Sequence, residues 1–196
     1  MQFLGIDLAG SEKRNTGICV LEGNLAKTEI LKSDSEILEK VEKCEAKIVA
    51  IDAPLFLPSD RRNIEDVSGS HLRKCDKELL RMHIKFFPIT LGPMRALTKR
   101  GIRIKKKIEK LGKTVLETYP GAVYDLFGIK REDKEKSKLW RLLGIKIVGG
   151  KTKDELDAIA CAYVAKMYHE KKVIKIGEKE EGYMYLPDVK NIKRFK

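Results

Sequence analysis

The sequence predicts an α/β fold in which helices flank a mixed β-sheet of five strands. The chain opens with three strand-like segments, at 2–9, 16–22 and 25–32, that polar turns connect into a meander. Apolar, β-branched runs then alternate with amphipathic segments, and a long helical segment closes the series. A meander followed by alternating helices and strands implies a mixed sheet with helices on its faces.

The middle of the chain supplies the first helix, a buried strand and an insertion. Ser33 and Glu36 form a capping-box pattern that predicts a short helix. The run KIVAID at 47–52 is typical of a buried parallel strand. The stretch 53–92 is irregular apart from one expected helix over 72–82, and it is long enough to overhang a site.

The second half returns to alternating elements and closes on a hairpin. Thr152 and Glu155 form a second capping-box pattern at the start of the last helix. A C-terminal extension of about 172–196 contains two strand-like segments that can pair as a hairpin. The elements expected before it are a helix over 93–111, a strand over 113–119, and helices over 120–127, over 134–143 and from Thr152 to about His169.

The chain shows no internal repeat and no linker, so we expect a single domain over 1–196. The order β-β-β-α-β-α-β-α, with the insertion after the fourth strand, is similar to the ribonuclease H-like fold. Topology alone assigns no function.

The charge balance indicates an anionic partner. The chain has 41 Lys and Arg against 29 Asp and Glu, a formal net charge of +12 over 196 residues. A surplus of this size favours nucleic acid, DNA or RNA, as the partner. The chain is also dense in Lys, Glu and Ile and has one Gln, a bias typical of thermophile proteins, which gives the charge a second origin.

Composition also excludes a membrane protein. No segment approaches the roughly 18 apolar residues of a membrane span. The first residues lack the features of a signal peptide, so we expect a cytoplasmic protein with reduced cysteines. The sequence leaves the oligomeric state open, a homodimer included.

Two aspartates lie at the ends of predicted strands. Asp7 interrupts the first apolar strand, and Asp52 ends the strand at 47–52 just before Pro54. A carboxylate in a central strand is costly to bury unless it is paired or binds a metal. Carboxyl ends of parallel strands line the ligand crevice of an α/β sheet, so we expect both acids there. Each could instead serve a local turn.

Three further acids are candidates. Glu117 lies near the end of the strand at 113–119, where it could also form a buried ion pair with a Lys or Arg. Asp154 and Asp157 lie one helical turn apart at the start of the last helix. An acid in the first turn also favours the helix dipole, which accounts for Asp154 without a function. Asp157 is on the apolar face.

These acids predict a cation-dependent site. A cluster of carboxylates can hold two divalent ions about 4 Å apart for phosphoryl transfer. Mg²⁺ or Mn²⁺ suits a set of oxygen ligands. We therefore expect two ions. The expected metal ligands are Asp7, Asp52, Asp154 and Asp157, and the expected catalytic residues are Asp7, Asp52, Glu117 and Asp157.

Four motifs carry a family resemblance: GIDLAGS, AIDAPL, ETYPG and DELDAIACAYVA. Together they resemble the domain-of-unknown-function 429 family, regarded as predicted nucleases with a ribonuclease H-like fold. The segment 154–158 also resembles the last helix of Holliday-junction resolvases, where both acids belong to the metal site. By that analogy Asp7 matches the acid of the first strand. Asp52 stands where the resolvases carry Glu, and Glu117 has no clear counterpart.

Basic residues form the expected nucleic-acid surface. Nine of them lie between Arg95 and Lys113, against one acid, and a cationic helix face can contact phosphates. A solvated face is the alternative interpretation. The tail, with Lys190, Lys193, Arg194 and Lys196, could form a second patch or only a soluble end. The residues expected to bind nucleic acid are Arg61, Arg62, Arg81, Arg95, Lys99, Arg103 and Lys106.

The sequence therefore predicts a metal-dependent nuclease with a two-metal mechanism, against two alternatives. One is a nucleic-acid-binding module without catalysis. The other is a nucleotide-binding or phosphotransfer protein, because GIDLAGSEKRNTG resembles the first phosphate-binding segment of the actin-like ATPase superfamily. The kinases of that superfamily need two such domains around the nucleotide, and this chain supplies one.

Overall fold

A computed structural model describes residues 1–192, and a single mixed sheet runs through its centre. The strands are β1 (Gln2–Asp7), β2 (Thr16–Glu22), β3 (Leu25–Leu31), β4 (Ile48–Asp52), β5 (Thr114–Thr118), β6 (Lys146–Val148), β7 (Val173–Glu178) and β8 (Gly182–Pro187). Across the sheet their order is β6-β3-β2-β1-β4-β5-β8-β7. The meander β1-β2-β3 is antiparallel, whereas β1, β4 and β5 are parallel neighbours.

Helices cover both faces of this sheet. Both predicted capping boxes form, at Ser33 with Glu36 and at Thr152 with Glu155. None of the helices in residues 1–192 is long and apolar enough to cross a bilayer. The helices are α1 (Asp34–Lys43), α2 (Lys74–Arg81), α3 (Gly92–Lys110), α4 (Pro120–Leu126), α5 (Asp133–Leu142) and α6 (Lys153–His169).

The predicted fold class is confirmed, but the sheet has eight strands rather than five. The strand β6 has only three residues, too few for an alternating pattern to be visible in the sequence, and it pairs with β3. The predicted C-terminal hairpin forms as β7 and β8, and it extends the sheet because Met184 of β8 pairs with Glu117 of β5. In the basic tail, Lys193, Arg194 and Lys196 lie outside the described residues.

Helix α6 lies directly on the centre of the sheet. A Cβ at Gly5 of β1 would collide with the backbone of Ala158 and Ala162, and one at Gly17 of β2 would collide with the carbonyl group of Asp154. Only glycine permits so close an approach of a helix backbone to a strand. The apolar core beneath α6 includes Trp140 and Tyr124 from the neighbouring helices. The other face of the sheet packs against α1 and α3.

We expect Gly5→Ala to destabilise the protein by about 1–3 kcal/mol or more, because the new methyl group forces α6 away from β1. Gly92→Ala is the matched control, since a Cβ at Gly92 meets no atom within 4 Å. Urea denaturation of both variants measures the difference. Equal stabilities for the two variants would show that α6 does not depend on this close contact.

Candidate active site

The first two acids stand side by side at the carboxyl ends of the central parallel strands. In the register of β1 and β4, Asp7 is directly opposite Asp52. Side chains alternate between the faces of a sheet, and Gly5 and Ala50, two residues earlier on the same strands, both face α6. Asp7 and Asp52 therefore share the face that α6 covers. Both are half-buried.

Helix α6 brings two more acids to the same place. Its first turn rests on Gly17, which is paired with Asp7 across β1 and β2. Asp154 is half-buried, and Asp157, one turn later, is buried with 7% of its surface exposed. The structure thus brings together the four acids that the sequence predicts as metal ligands.

Burial and mutual repulsion perturb these carboxyl groups. Desolvation, followed by the negative charges of Asp52, Asp157 and Asp154, raises the pKa of Asp7 well above its ordinary value. Desolvation, with the charges of Asp157 and Glu117, raises the pKa of Asp52 from 3.8 to about 8. Two such neighbours cannot both ionise at low cost unless a cation joins them.

Asp157 differs from the other acids because it has a cationic partner. Lys136 of α5 donates hydrogen bonds to both of its carboxylate oxygens, at 2.8 and 3.0 Å. Lys136 is itself buried, with 2% of its surface exposed. Desolvation still raises the pKa of Asp157, while the charge of Lys136 and its hydrogen bonds oppose the rise.

The sequence analysis did not identify Lys136, although a signal was present. Lys136 precedes Leu139 and Trp140 by three and four residues, so it shares their helix face, and all three are buried. A lysine on the apolar stripe of a helix requires a buried partner. The partner itself could not be known without the packing of α5 against α6.

Glu117 does not join the cluster. Its strand neighbour Leu116 packs in the core beneath α6, so Glu117 points to the opposite face of the sheet. There it accepts hydrogen bonds from the backbone N–H of Leu55, at 2.7 Å, and from Arg73, at 2.8 Å. Arg73 is buried and also donates to Asp76. Glu117 is thus part of a buried ion-pair network that holds the insertion, the structural alternative considered for it.

An open cleft of about 830 Å³ lies over the four acids. The residues that line it include Phe87 of the insertion, residues of α3, and Tyr119 and Gly121. The basic residues that line the cleft are Lys13, Arg14, Arg131, Lys136 and Lys153. A cleft with acids on its floor and cations around them suits an anion that binds through a divalent cation.

These cations differ from those expected on the sequence. The prediction that Arg61 binds nucleic acid is wrong. Arg61 is buried, and its guanidinium group donates hydrogen bonds to the carbonyl groups of Asp66, Gly69 and Ser70, so it is not accessible to a substrate. The sequence predicts Arg61 as a phosphate contact beside the site because its loop follows the strand that ends at Asp52. That loop instead folds around it.

The expected helical cations lie elsewhere on the surface. Arg95 and Lys99 form ion pairs with Glu65, and Arg103 pairs with Asp34. Arg62, Arg81 and Lys106 are exposed. None of these six residues lines the cleft. The turn after β1 provides Lys13 and Arg14 instead, because it begins where Asp7 ends its strand.

The donor set fits a hard divalent cation. It consists of carboxylate oxygens, which Mg²⁺ and Mn²⁺ prefer, and the repulsion between Asp7 and Asp52 is of the kind that a cation relieves. Within residues 1–192, no three His, Cys, Asp or Glu side chains already lie close enough together to hold an ion. Asp7 and Asp52, which are paired across β1 and β4, are the two acids that lie side by side.

A mixed sheet of this order with helices on both faces has the ribonuclease H-like fold. A solved structure described as T. thermophilus RuvC in complex with Holliday junction substrate is similar in fold, with a TM-score of 0.55 over 94% of this chain and 99% of that chain at 14% identity. The family model for proteins of unknown function DUF429 matches residues 5–181. The chain belongs to this family. Among curated proteins, none is significantly similar to it.

We expect Asp52→Asn to stabilise the cation-free protein at alkaline pH. Because the pKa of Asp52 is raised in the folded state, the folded protein holds the proton more tightly than the unfolded chain. The contribution of Asp52 to stability is therefore fully present below about pH 4 and is lost as the pH rises through about 8. The variant should be more stable than wild type by on the order of 2 kcal/mol at pH 8.5, and the gain should vanish at pH 4.

Thermal unfolding in the presence of a chelator measures this effect at both pH values. Glu45→Gln, which changes an exposed carboxylate, is the control and should leave the pH profile as in wild type. A stability difference between Asp52→Asn and wild type that does not grow from pH 4 to pH 8.5 would contradict the repulsion between the acids.

Proposed function

We propose that this protein is a divalent-metal-dependent nuclease that hydrolyses phosphodiester bonds of DNA or RNA. The observation that carries the proposal is the placement of Asp7 beside Asp52, beneath the two acids of α6 and at the floor of a cation-lined cleft. The similarity to a nuclease fold solved with a Holliday junction supports a nucleic-acid substrate.

The residues divide into two roles. Asp7 and Asp52, with Asp154 beside them, would hold a divalent cation. When bound there, such a cation supplies Lewis-acid activation of water and neutralises charge on the phosphodiester. The cations of the cleft would hold the phosphates, and two of them, Lys13 and Arg14, are exposed. The two-ion scheme expected on the sequence would also use Asp157, whose carboxylate Lys136 already binds.

We expect Asp7→Asn to lower the rate of cleavage by at least about a hundredfold, because it removes a ligand and half of the anionic pair. The assay measures cleavage of single strands, duplexes and four-way junctions of DNA and RNA in Mn²⁺ or Mg²⁺, with a chelator as the blank. Glu45→Gln should cleave as wild type does. Full activity of the Asp7 variant would overturn the proposal.

The same experiment separates the alternatives. Salt-sensitive binding of the nucleic acids without any cleavage by the wild type would favour a binding module. Calorimetry that shows tight binding of ATP, with no cleavage, would favour a phosphotransfer protein.

We expect the double variant Lys13→Ala/Arg14→Ala to bind nucleic acid about tenfold more weakly at physiological salt. It should also lower the slope of log affinity against log salt by about 2, because two phosphate contacts are lost. Fluorescence anisotropy over a salt series measures both quantities. Lys99→Ala/Lys106→Ala on α3, outside the cleft, is the matched control. A larger loss for the control would move the binding surface to α3.

A further inference from the structure

We propose that the site holds one divalent cation, between Asp7 and Asp52, and that the buried ammonium group of Lys136 occupies the role of a second cation by neutralising Asp157. The inference rests on the proposed function and refines it. It names Lys136 as a positioning residue, which acts through the acid that it binds.

Lys136 and Asp157 form a buried ion pair. The Lys136 Nζ atom contacts both carboxylate oxygens, at 2.8 and 3.0 Å, and lies 3.8 Å from an oxygen of Asp133. It also lies 5.1 Å from the centre of the Tyr124 ring, within the range of a cation–π contact. Lys136 has 2% of its surface exposed and Asp157 has 7%. To separate two charges so deeply buried would leave each without a counter-charge in a low-dielectric environment.

The other acids are in a different state. Within residues 1–192, no Lys, Arg or His forms an ion pair with Asp7, Asp52 or Asp154, whereas Asp157 has Lys136. Lys153 influences Asp7 and Asp52 through its charge without an ion pair. Three of the four acids, Asp7, Asp52 and Asp154, are thus available to a cation from solution. The fourth, Asp157, is already neutralised by Lys136.

One cation is sufficient for the available acids. Mg²⁺ commonly binds through one or two carboxylates and completes its coordination with water and substrate phosphate oxygens. Asp7 and Asp52 provide two adjacent carboxylates on paired strands. A lysine ammonium is a compact point charge, so it can balance Asp157 as an ion would, but it cannot exchange with the solution. The Lys136 ammonium group is thus a permanent positive charge at the place where a two-ion site would bind its second divalent ion from solution.

The count of bound Mn²⁺ ions tests the inference without reference to activity. Titration of the cation-free full chain with Mn²⁺, followed by calorimetry and by the signal of free Mn²⁺ in electron paramagnetic resonance, should give one ion per chain. Two ions in the wild type would overturn the inference and leave the proposed nuclease intact. No bound ion would overturn both.

Two single variants distinguish ligands from the neutralised acid. Asp157→Asn should still bind one ion, because Asp157 is not a ligand. Asp7→Asn should lose the ion. A loss of Mn²⁺ binding by Asp157→Asn that equals the loss by Asp7→Asn would overturn the inference.

Substitution of Lys136 tests its role directly. Lys136→Met frees Asp157, so the count should rise from one ion to two, whereas Lys136→Arg should keep it at one. The double variant Lys136→Met/Asp157→Asn removes both charges, folds without an unpaired buried ion and should again bind one. A count of one in a folded Lys136→Met protein would overturn the inference. If that variant does not fold, the titration of Lys136→Met/Asp157→Asn decides, because a loss of the ion in this double variant would overturn the inference.

Discussion

The close contact between α6 and the two strands β1 and β2 is the constraint on which the site depends. Gly5 and Gly17 let the helix backbone rest on the sheet. The helix can then place Asp154 and Asp157 over the strand ends that carry Asp7 and Asp52. A helix that lay one side-chain diameter higher would carry Asp154 and Asp157 away from Asp7 and Asp52.

Electrostatics explains how so acidic a cluster exists within a basic protein. Burial and repulsion raise the pKa values of Asp7 and Asp52, so the cluster opposes its own ionisation. The chain compensates one acid with Lys136 and leaves the others open to the cleft. Although the net charge is +12, the site itself combines both signs. Several basic residues line the cleft together with acids whose charge a divalent ion can balance.

The sequence predicted the parts of the site that depend on local pattern. An acid at the end of an apolar strand identified Asp7 and Asp52, and a capping box with acids one turn apart identified Asp154 and Asp157. The sequence did not predict the roles that depend on how the elements pack. Glu117 has the same strand-end pattern as Asp52, but strand alternation turns it to the other face. Lys136 required the packing of α5 on α6.

A crystal structure of the protein with Mn²⁺ tests the central claim most directly, because the anomalous signal locates the ion. The account predicts one peak within about 2.5 Å of carboxylate oxygens of both Asp7 and Asp52, with Lys136 still bound to Asp157. The absence of a peak at these acids in saturating Mn²⁺, or a peak that displaces Lys136 from Asp157, would contradict it.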